Sequence, residues 1–589
     1  MFDPLGELGS LVRAAAVTAL GPEFSDVDPQ VRRGQHGDAQ ADLALGLSKR
    51  ARKAPRAIAE SIVAALPPND LIERAEIAGP GFINFTFASP WLAKAATRLL
   101  DDPRLGVPQA ATPERVVIDY SAPNVAKEMH VGHLRSTVLG DALARLFEFR
   151  GHTVIRQNHI GDWGTPFGML IEHLIDLDVK VGDASSELAL ADLSSFYKAA
   201  RKKFDEDPAF ADRSRRRVVA LQGGDAETLA RWRTLVDIST RYFETVYEAL
   251  DVTLQRKDVA GESLYNDKLA PLVAELEASG HARENDGALC VFPAGFTNKE
   301  GEPLPLIVRK SDGGFGYATT DLAAIRYRLF DLGATRLLYV VGAPQAQHFS
   351  MIFTAARELG WLKPSARAEH VAFGSVLGPD RRMLRSREGD AVRLVDLVSE
   401  AIARAESVLA TKAPDLDAET RAKVGKMVGV GSLKYADLSS DRVKDYVFDV
   451  DRMVSFDGNT SGYLQYAYAR VRAIFRKVEG SVPVSGSLGP VVLAPAADND
   501  AAARAERALV LNLLALAPAV QIVEDLLEPH RLAGYLYELA TSFTSFYEKC
   551  PILSSTGELR ASRLALAELT ARTLSLALGL LGISVPERM

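Results

Sequence analysis

The sequence predicts a multidomain α/β protein. A parallel-sheet domain with helical insertions is expected mid-chain, between an N-terminal α+β domain and a C-terminal all-α bundle. Three observations carry this. Short apolar runs alternate with helical patterns over residues 111–395, as βαβ units require. Two strand-like runs flank Gly79-Pro80-Gly81 within residues 1–110. From about residue 396 onward, apolar residues recur at three-to-four spacing, the period of a helix. The length of 589 residues leaves room for about four domains.

Each element follows from local pattern. In "ERAEIAGPGFINFTFA", Ile83, Phe85 and Phe87 alternate onto one face, so this is a hairpin, with "RAIAESIVAAL" as a flanking helix. The Pro- and Gly-rich "DDPRLGVPQAATPER" reads as a linker. "RVVIDY" is a buried strand that passes through a Pro-containing loop into the amphipathic helix of "HVGHLRSTVLGDALARLF". The strand "HTVIRQN" follows, then a charged helical insertion over about 170–260. "RLLYVV", the helix "FSMIFTAARELG" and the strand "HVAFGSVL" complete the sheet. Residues 396–455 form a helical connector and 456–589 the bundle, built from "YLQYAYARVRAIFRKV" and "LAGYLYELATSFTSFYEKC".

Composition limits the function. The net charge of -7 argues against a uniformly basic nucleic-acid binder but permits local basic patches. Cys290 and Cys550 stand far apart with no CxxC pair, so neither zinc nor a disulfide framework is expected, and a cytoplasmic location fits. The N-terminus reads as an ordinary helix rather than a signal peptide. The apolar "LVLNLLALAPAVQIV" is short and broken by Pro518, which suits a buried helix better than a membrane span.

The chemistry concentrates at the strand–loop–helix junction. His130 and His133 flank Gly132 where a helix begins, near the C-terminal edge of the sheet, where ligands bind in open α/β folds. A helix N-terminus offers unpaired N–H groups to anions, Gly132 permits close backbone approach, and Lys127 adds a point charge suited to phosphate. The short HxGH pattern alone leaves two ordinary loop histidines as an equal alternative.

The longer run "SAPNVAKEMHVGHLRSTVLGD" resembles the HIGH signature of class I aminoacyl-tRNA synthetases, in the form of the arginyl-tRNA synthetase family. "NHIGDWGTPFGML", "SDGGFGYATTDLAA", "YVVGAPQAQHF", "YLQYAYAR" and "PERM" are similar to family segments in the same order, although Pro166 stands where Gln is common. The resemblance covers about 115–395 and 455–589. It is weaker over the first 110 residues, where family members carry an extra tRNA-contacting domain. It implies a Rossmann-like catalytic domain and arginine–tRNA ligase activity. The carboxylate of L-arginine would attack the α-phosphorus of ATP, and the adenylate would pass to tRNA(Arg), releasing AMP and diphosphate. His130, His133 and Lys127 would hold and polarise the phosphates, with Mg2+ carried mainly by the nucleotide.

The family's second phosphate loop, commonly KMSKS, corresponds to "GPDRRMLRSREG". Its second Lys falls on Ser386, between Arg385 and Arg387. Those three are expected at ATP, with Lys127 substituting for the missing cation. Asp119, Asn124, Glu262, Tyr317, Asp321 and Gln345 match arginine-binding positions. A buried guanidinium requires such oxygens, ideally in bidentate geometry. Each has a plainer alternative, such as a helix cap at Asp321 or a solvated carboxylate at Glu262. Tyr463, Tyr466 and Tyr468 beside Arg470 are candidates to stack unpaired tRNA bases, with Tyr463, Tyr466 and Arg470 the expected contacts; the alternative is that the tyrosines pack the core, as about half of the set should at helical spacing. The runs "KAARKKF", "RSRRR" and "SKRARKAPR" are further candidates for RNA or plain solvated faces. A monomer is expected, with no membrane partner. The rivals are a cysteinyl-type synthetase, a small-molecule nucleotidyltransferase, and an inactive paralogue that only binds tRNA.

Overall fold

The computed structural model describes residues 3–179, 192–384, 392–478, 488–495 and 500–589. The chain divides into two compact units. One comprises Met1–Pro108, Phe456–Gly579 and Ser584–Met589; the other comprises Gln109–Ser455 and Leu580–Ile583. The expected N-terminal and C-terminal domains therefore share a unit, and the connector belongs with the sheet domain.

In the first unit, β1 (Val31–Arg33), β2 (Ala39–Ala41), β3 (Ile72–Ala78) and β4 (Phe82–Phe87) form an antiparallel sheet in the order β1-β2-β4-β3. The expected hairpin is β3–β4, and its turn needs left-handed backbone at Gly79 (φ 52°) and Gly81 (φ 145°). Ile83, Phe85 and Phe87 are fully buried, together with Asn84 and Thr86, so β4 is covered on both faces. The segment expected as a linker is packed: Leu105 and Val107 are buried, and the Asp102 carboxylate accepts from the amides of Arg104 and Gly106. Pro and Gly marked the irregular backbone correctly but do not report burial. The regular structure described in the C-terminal part is helical, with helices Ser461–Lys477, Ala501–Leu513, Leu516–Leu526, His530–Lys549 and Gly557–Leu580. The apolar stretch Ala501–Leu526 is long enough to cross a membrane, yet 56% of its apolar window is buried in the bundle.

The second unit holds the parallel sheet. β5 (Arg115–Asp119), β6 (Thr153–Gln157), β10 (Arg336–Tyr339) and β11 (Arg367–His370) lie in the order β11-β10-β5-β6. From β5 the chain moves one way to β6; from β10 it moves the other way to β11. The switch point therefore lies between β5 and β10, where Asp119 pairs with Tyr339. Crevices at such points receive ligands. Helices Tyr317–Phe330 and Ala346–Glu358 bury Leu322, Ile325, Ile352 and Phe353 with Val117 and Leu337. At about 1.5–3 kcal/mol per buried side chain, this layer fixes the strands that carry the site. Among the described residues, the insertion contains the helices Leu193–Glu206, Pro208–Gln222 and Ala226–Ala249. A three-stranded antiparallel sheet of β7 (Ala282–Asn285), β8 (Ala288–Val291) and β9 (Leu306–Arg309) was not foreseen. Its strands are four residues long, too short for alternation to register.

Candidate active site

The loop from β5 to the helix Val131–Phe149 is unusual in its backbone. Ser121, Ala122 and Ala126 have left-handed φ angles of 73°, 47° and 59°. Such non-glycine conformers cost about 1–2 kcal/mol each, and named hydrogen bonds offset this. The Ser121 amide donates to Ser136 Oγ (2.9 Å), the Ala122 amide to Asn158 Oδ1 (3.0 Å) and the Ala126 amide to Ser239 Oγ (2.9 Å). Tyr247 ties Ser121 to Asn158 through its hydroxyl. The strain is thus held between the sheet and the insertion, and it aims Asn124 and Lys127 toward the crevice.

The two histidines cap their own helix. The Gly132 amide donates to His130 Nδ1 (3.0 Å), and the His130 amide donates to His133 Nδ1 (3.1 Å). Each Nδ1 is an acceptor, so each neutral ring carries its proton on Nε2 and presents an N–H donor. Burial, His130 and Lys127 push the His133 pKa down to about 3, and burial with Lys127 also lowers that of His130. Both rings are therefore neutral donors at physiological pH. Gly132 has a local reason: a Cβ there would lie 2.8 Å from His130 Cε1. The glycine makes room for the folded-back His130 ring.

Arg135, three positions before Val138 on the same helix, is buried against Asp437 (3.0 Å). The Met129 carbonyl accepts from Leu394, and the Val131 amide donates to the Val392 carbonyl. Val392 and Leu394 are thereby held beside the histidines. Arg385, Ser386 and Arg387 themselves lie outside the described residues.

A cavity of about 980 Å³ opens beside this junction. It brings together four predicted residues, Asn124, Lys127, Glu262 and Tyr317. Tyr317 is 78% exposed at the first turn of helix Tyr317–Phe330, with Asp321 one turn on. Glu262 carries the main electrostatic signal. Burial, followed by Asp162 and Asp321, pushes its pKa up to about 7. The charges of Asp162 and Asp321 add to burial in raising the Glu262 pKa, an arrangement that favours a cationic ligand. Asp162 and Trp163, within the quoted "NHIGDWG", were not singled out as site residues. Asp162 accepts from the Ser263 amide (2.8 Å) and hydroxyl (2.6 Å), which sets the turn that bears Glu262. Trp163 lines the cavity.

The remaining predicted residues are placed differently. Asp119 is buried at the end of β5, where its Oδ2 accepts from Arg328 Nη2 (2.7 Å) and Gln157 accepts from Arg328 Nε (2.6 Å). Its carboxylate is engaged by the protein's own guanidinium. Asp321 Oδ2 accepts from His348 Nε2 (2.6 Å), an unpredicted partner from "QAQHF". Gln345 is exposed in the turn Ala343–Gln345 after β10. Asn124 lies against Gly161, whose missing side chain leaves room for Asn124 Oδ1.

In the other unit, Tyr463, Tyr466 and Arg470 recur along one face of helix Ser461–Lys477. The Tyr463 hydroxyl is 3.1 Å from Thr544 Oγ1, Tyr466 is 43% exposed, and the Arg470 guanidinium lies 3.8 Å above the Tyr547 ring. Tyr468 is buried and donates to Glu587 (2.7 Å). The helix starts on Thr460, whose hydroxyl accepts from the Tyr463 amide. The basic runs of the insertion are largely committed internally. Arg213 and Arg217 bind buried Glu172, Lys203 binds Asp176, and Arg201 binds Asp205.

Comparison with known proteins turns this geometry into a class. Residues 95–450 match the profile described as tRNA synthetases class I (R), catalytic domain. Residues 7–87 match the arginyl tRNA synthetase N-terminal domain, and 464–589 the DALR anticodon binding domain. The arginine–tRNA ligase of Thermobifida fusca is 54% identical over 592 residues, covering 100% of both chains. That of Streptomyces avermitilis is 48% identical, covering 98% of each. Among solved structures, the arginyl-tRNA synthetase of Plasmodium falciparum superposes with a TM-score of 0.81 at 28% identity, covering 99% of each chain. That of Thermus thermophilus gives 0.79 at 25%, covering 99% of this chain and 100% of that one. The chain belongs to the arginyl-tRNA synthetase family.

Proposed function

We propose that the protein is an arginine–tRNA ligase that activates L-arginine with ATP and transfers it to tRNA(Arg). The observation that carries this reading is the recess at Glu262. Its shared negative charge with Asp162 and Asp321 is best relieved by a permanent cation such as a guanidinium. In the first step an arginine carboxylate oxygen attacks the α-phosphorus and diphosphate leaves. In the second, a terminal ribose hydroxyl of tRNA attacks the arginyl carbonyl and AMP leaves. Neither step needs a covalent protein intermediate; donors aimed at developing charge suffice.

The Nε2–H groups of His130 and His133 are assigned to the phosphates, with Lys127 supplying positive charge. Arg385, Ser386 and Arg387 are assigned to the same nucleotide on sequence grounds. Asn124, Glu262, Tyr317, Asp321 and Gln345 are assigned to arginine. Asp119 is assigned a supporting role through Arg328, since its carboxylate is already paired. Among the described residues no group of three or more His, Cys, Asp or Glu is arranged to hold a metal. Mg2+ is assigned to the ATP phosphates, as the family's chemistry implies. Tyr463, Tyr466 and Arg470 are assigned to tRNA bases, and the enzyme is taken to act as a cytoplasmic monomer.

The test is ATP–pyrophosphate exchange with each amino acid in turn, with and without tRNA(Arg). Arginine alone is expected to support exchange. Exchange with another amino acid, or none with any, would refute the assignment.

A further inference from the structure

The geometry points to Tyr197 of the helical insertion as the positioning residue for Lys127. This rests on the reading of Lys127 as a phosphate-binding cation. The Lys127 ammonium lies 4.3 Å from the centroid of the Tyr197 ring, and both residues line the same cavity. A ring face attracts an ammonium without consuming any of its N–H donors.

Two ends of this contact are fixed and one part is loose. The Lys127 backbone follows Ala126, whose left-handed conformation is pinned by Ser239. Tyr197 sits on helix Leu193–Glu206, capped by Asp192 and anchored by buried Leu193, Phe196 and Ala200. Phe196 packs on His173 with ring centroids 5.0 Å apart. The Lys127 side chain has four rotatable bonds, and among the described residues its ammonium meets the Tyr197 ring. The Tyr197 ring supplies a constraint, in a position where the ammonium's charge is felt by both His130 and His133.

The need for such a support follows from the second signature. A loop lysine of the second signature is absent, with Ser386 in its place. A cation approaching from the first signature must then be held at the phosphates by something else. An aromatic side chain from the insertion meets that need and ties the insertion to nucleotide handling.

The experiment compares Tyr197→Leu, Tyr197→Phe, Lys127→Ala and the Tyr197→Leu/Lys127→Ala double variant in ATP–pyrophosphate exchange with tRNA(Arg) present. Leucine keeps apolar bulk and removes the ring face. Tyr197→Leu is expected to lower kcat/KM for ATP about fivefold, the equivalent of a cation–π contact worth about 1 kcal/mol, with the arginine KM unmoved. Tyr197→Phe should recover most of that loss. The double variant should be no worse than Lys127→Ala alone. If Lys127→Ala is impaired while Tyr197→Leu behaves as wild type, Tyr197 has no positioning role. Additive losses, or Tyr197→Phe as poor as Tyr197→Leu, would also overturn the inference. A wild-type rate for Lys127→Ala would remove the assigned role of Lys127 itself.

Discussion

Arginine binding should expel a proton, and Glu262 is where it comes from. The carboxyl pKa is raised from an ordinary 4.5 to about 7 by burial, then by Asp162 and Asp321. In the empty protein Glu262 is thus protonated at pH 6 and ionised at pH 8. A folded pKa above the unfolded one contributes stability that is present below about 4.5 and lost as pH rises through about 7. A guanidinium in the recess reverses the sign by favouring the carboxylate. If arginine binds only the ionised form, the competent fraction falls from about nine-tenths at pH 8 to about one-tenth at pH 6, roughly a tenfold loss of affinity. Titration calorimetry at both pH values, in buffers of different ionisation enthalpy, reads affinity and proton count together. About half a proton should be released per arginine at pH 7, the midpoint of the titration. Glu262→Gln should bind more weakly and lose the pH dependence. Wild-type affinity that stays flat between pH 6 and 8, with no proton released, would refute the electrostatic account.

Three further outcomes follow from the same geometry. Replacing His133 by Ala removes a neutral donor and part of the helix cap; kcat for exchange should fall about 10²–10³-fold, while loss of the cap costs only about 1 kcal/mol of stability by chemical denaturation. Arg328→Ala should cost about 3–5 kcal/mol in the same assay, because it leaves buried Asp119 without its partner. Gly161→Ala should raise the arginine KM and leave the ATP KM close to wild type, because the new Cβ displaces Asn124 Oδ1; equal changes in both would argue against Asn124 as an arginine ligand.

Much of the sheet was legible because its strands are short, apolar and bounded by turn residues. The expected strands at "RVVIDY", "HTVIRQN" and "RLLYVV" are β5, β6 and β10. "HVAFGSVL" was placed too late: β11 is Arg367–His370, whose charged residues hide an edge strand from hydrophobic reading. The histidines, Lys127, Asn124, Glu262 and Tyr317 were singled out because their motifs are local and long. Asp162 and His348 were passed over because neither has a local signature of its role. Asp162 matters through Ser263, about a hundred positions away in the chain, and His348 through Asp321. In the insertion, Lys203, Arg213 and Arg217 pair with Glu172 and Asp176, partners that the local sequence of the basic runs does not reveal.

By itself the sequence determined the family and the order of its segments, and it singled out the residues proposed to meet the nucleotide and the amino acid. Those properties reside in spacing along the chain, which requires no packing to be read. Tertiary structure alone decided which imidazole nitrogen holds its proton, which carboxylate is already spent on Arg328, and which carboxyl is poised near neutrality. Each depends on burial and on charges distant in sequence, and these come into force only when the folded chain excludes water from the recess.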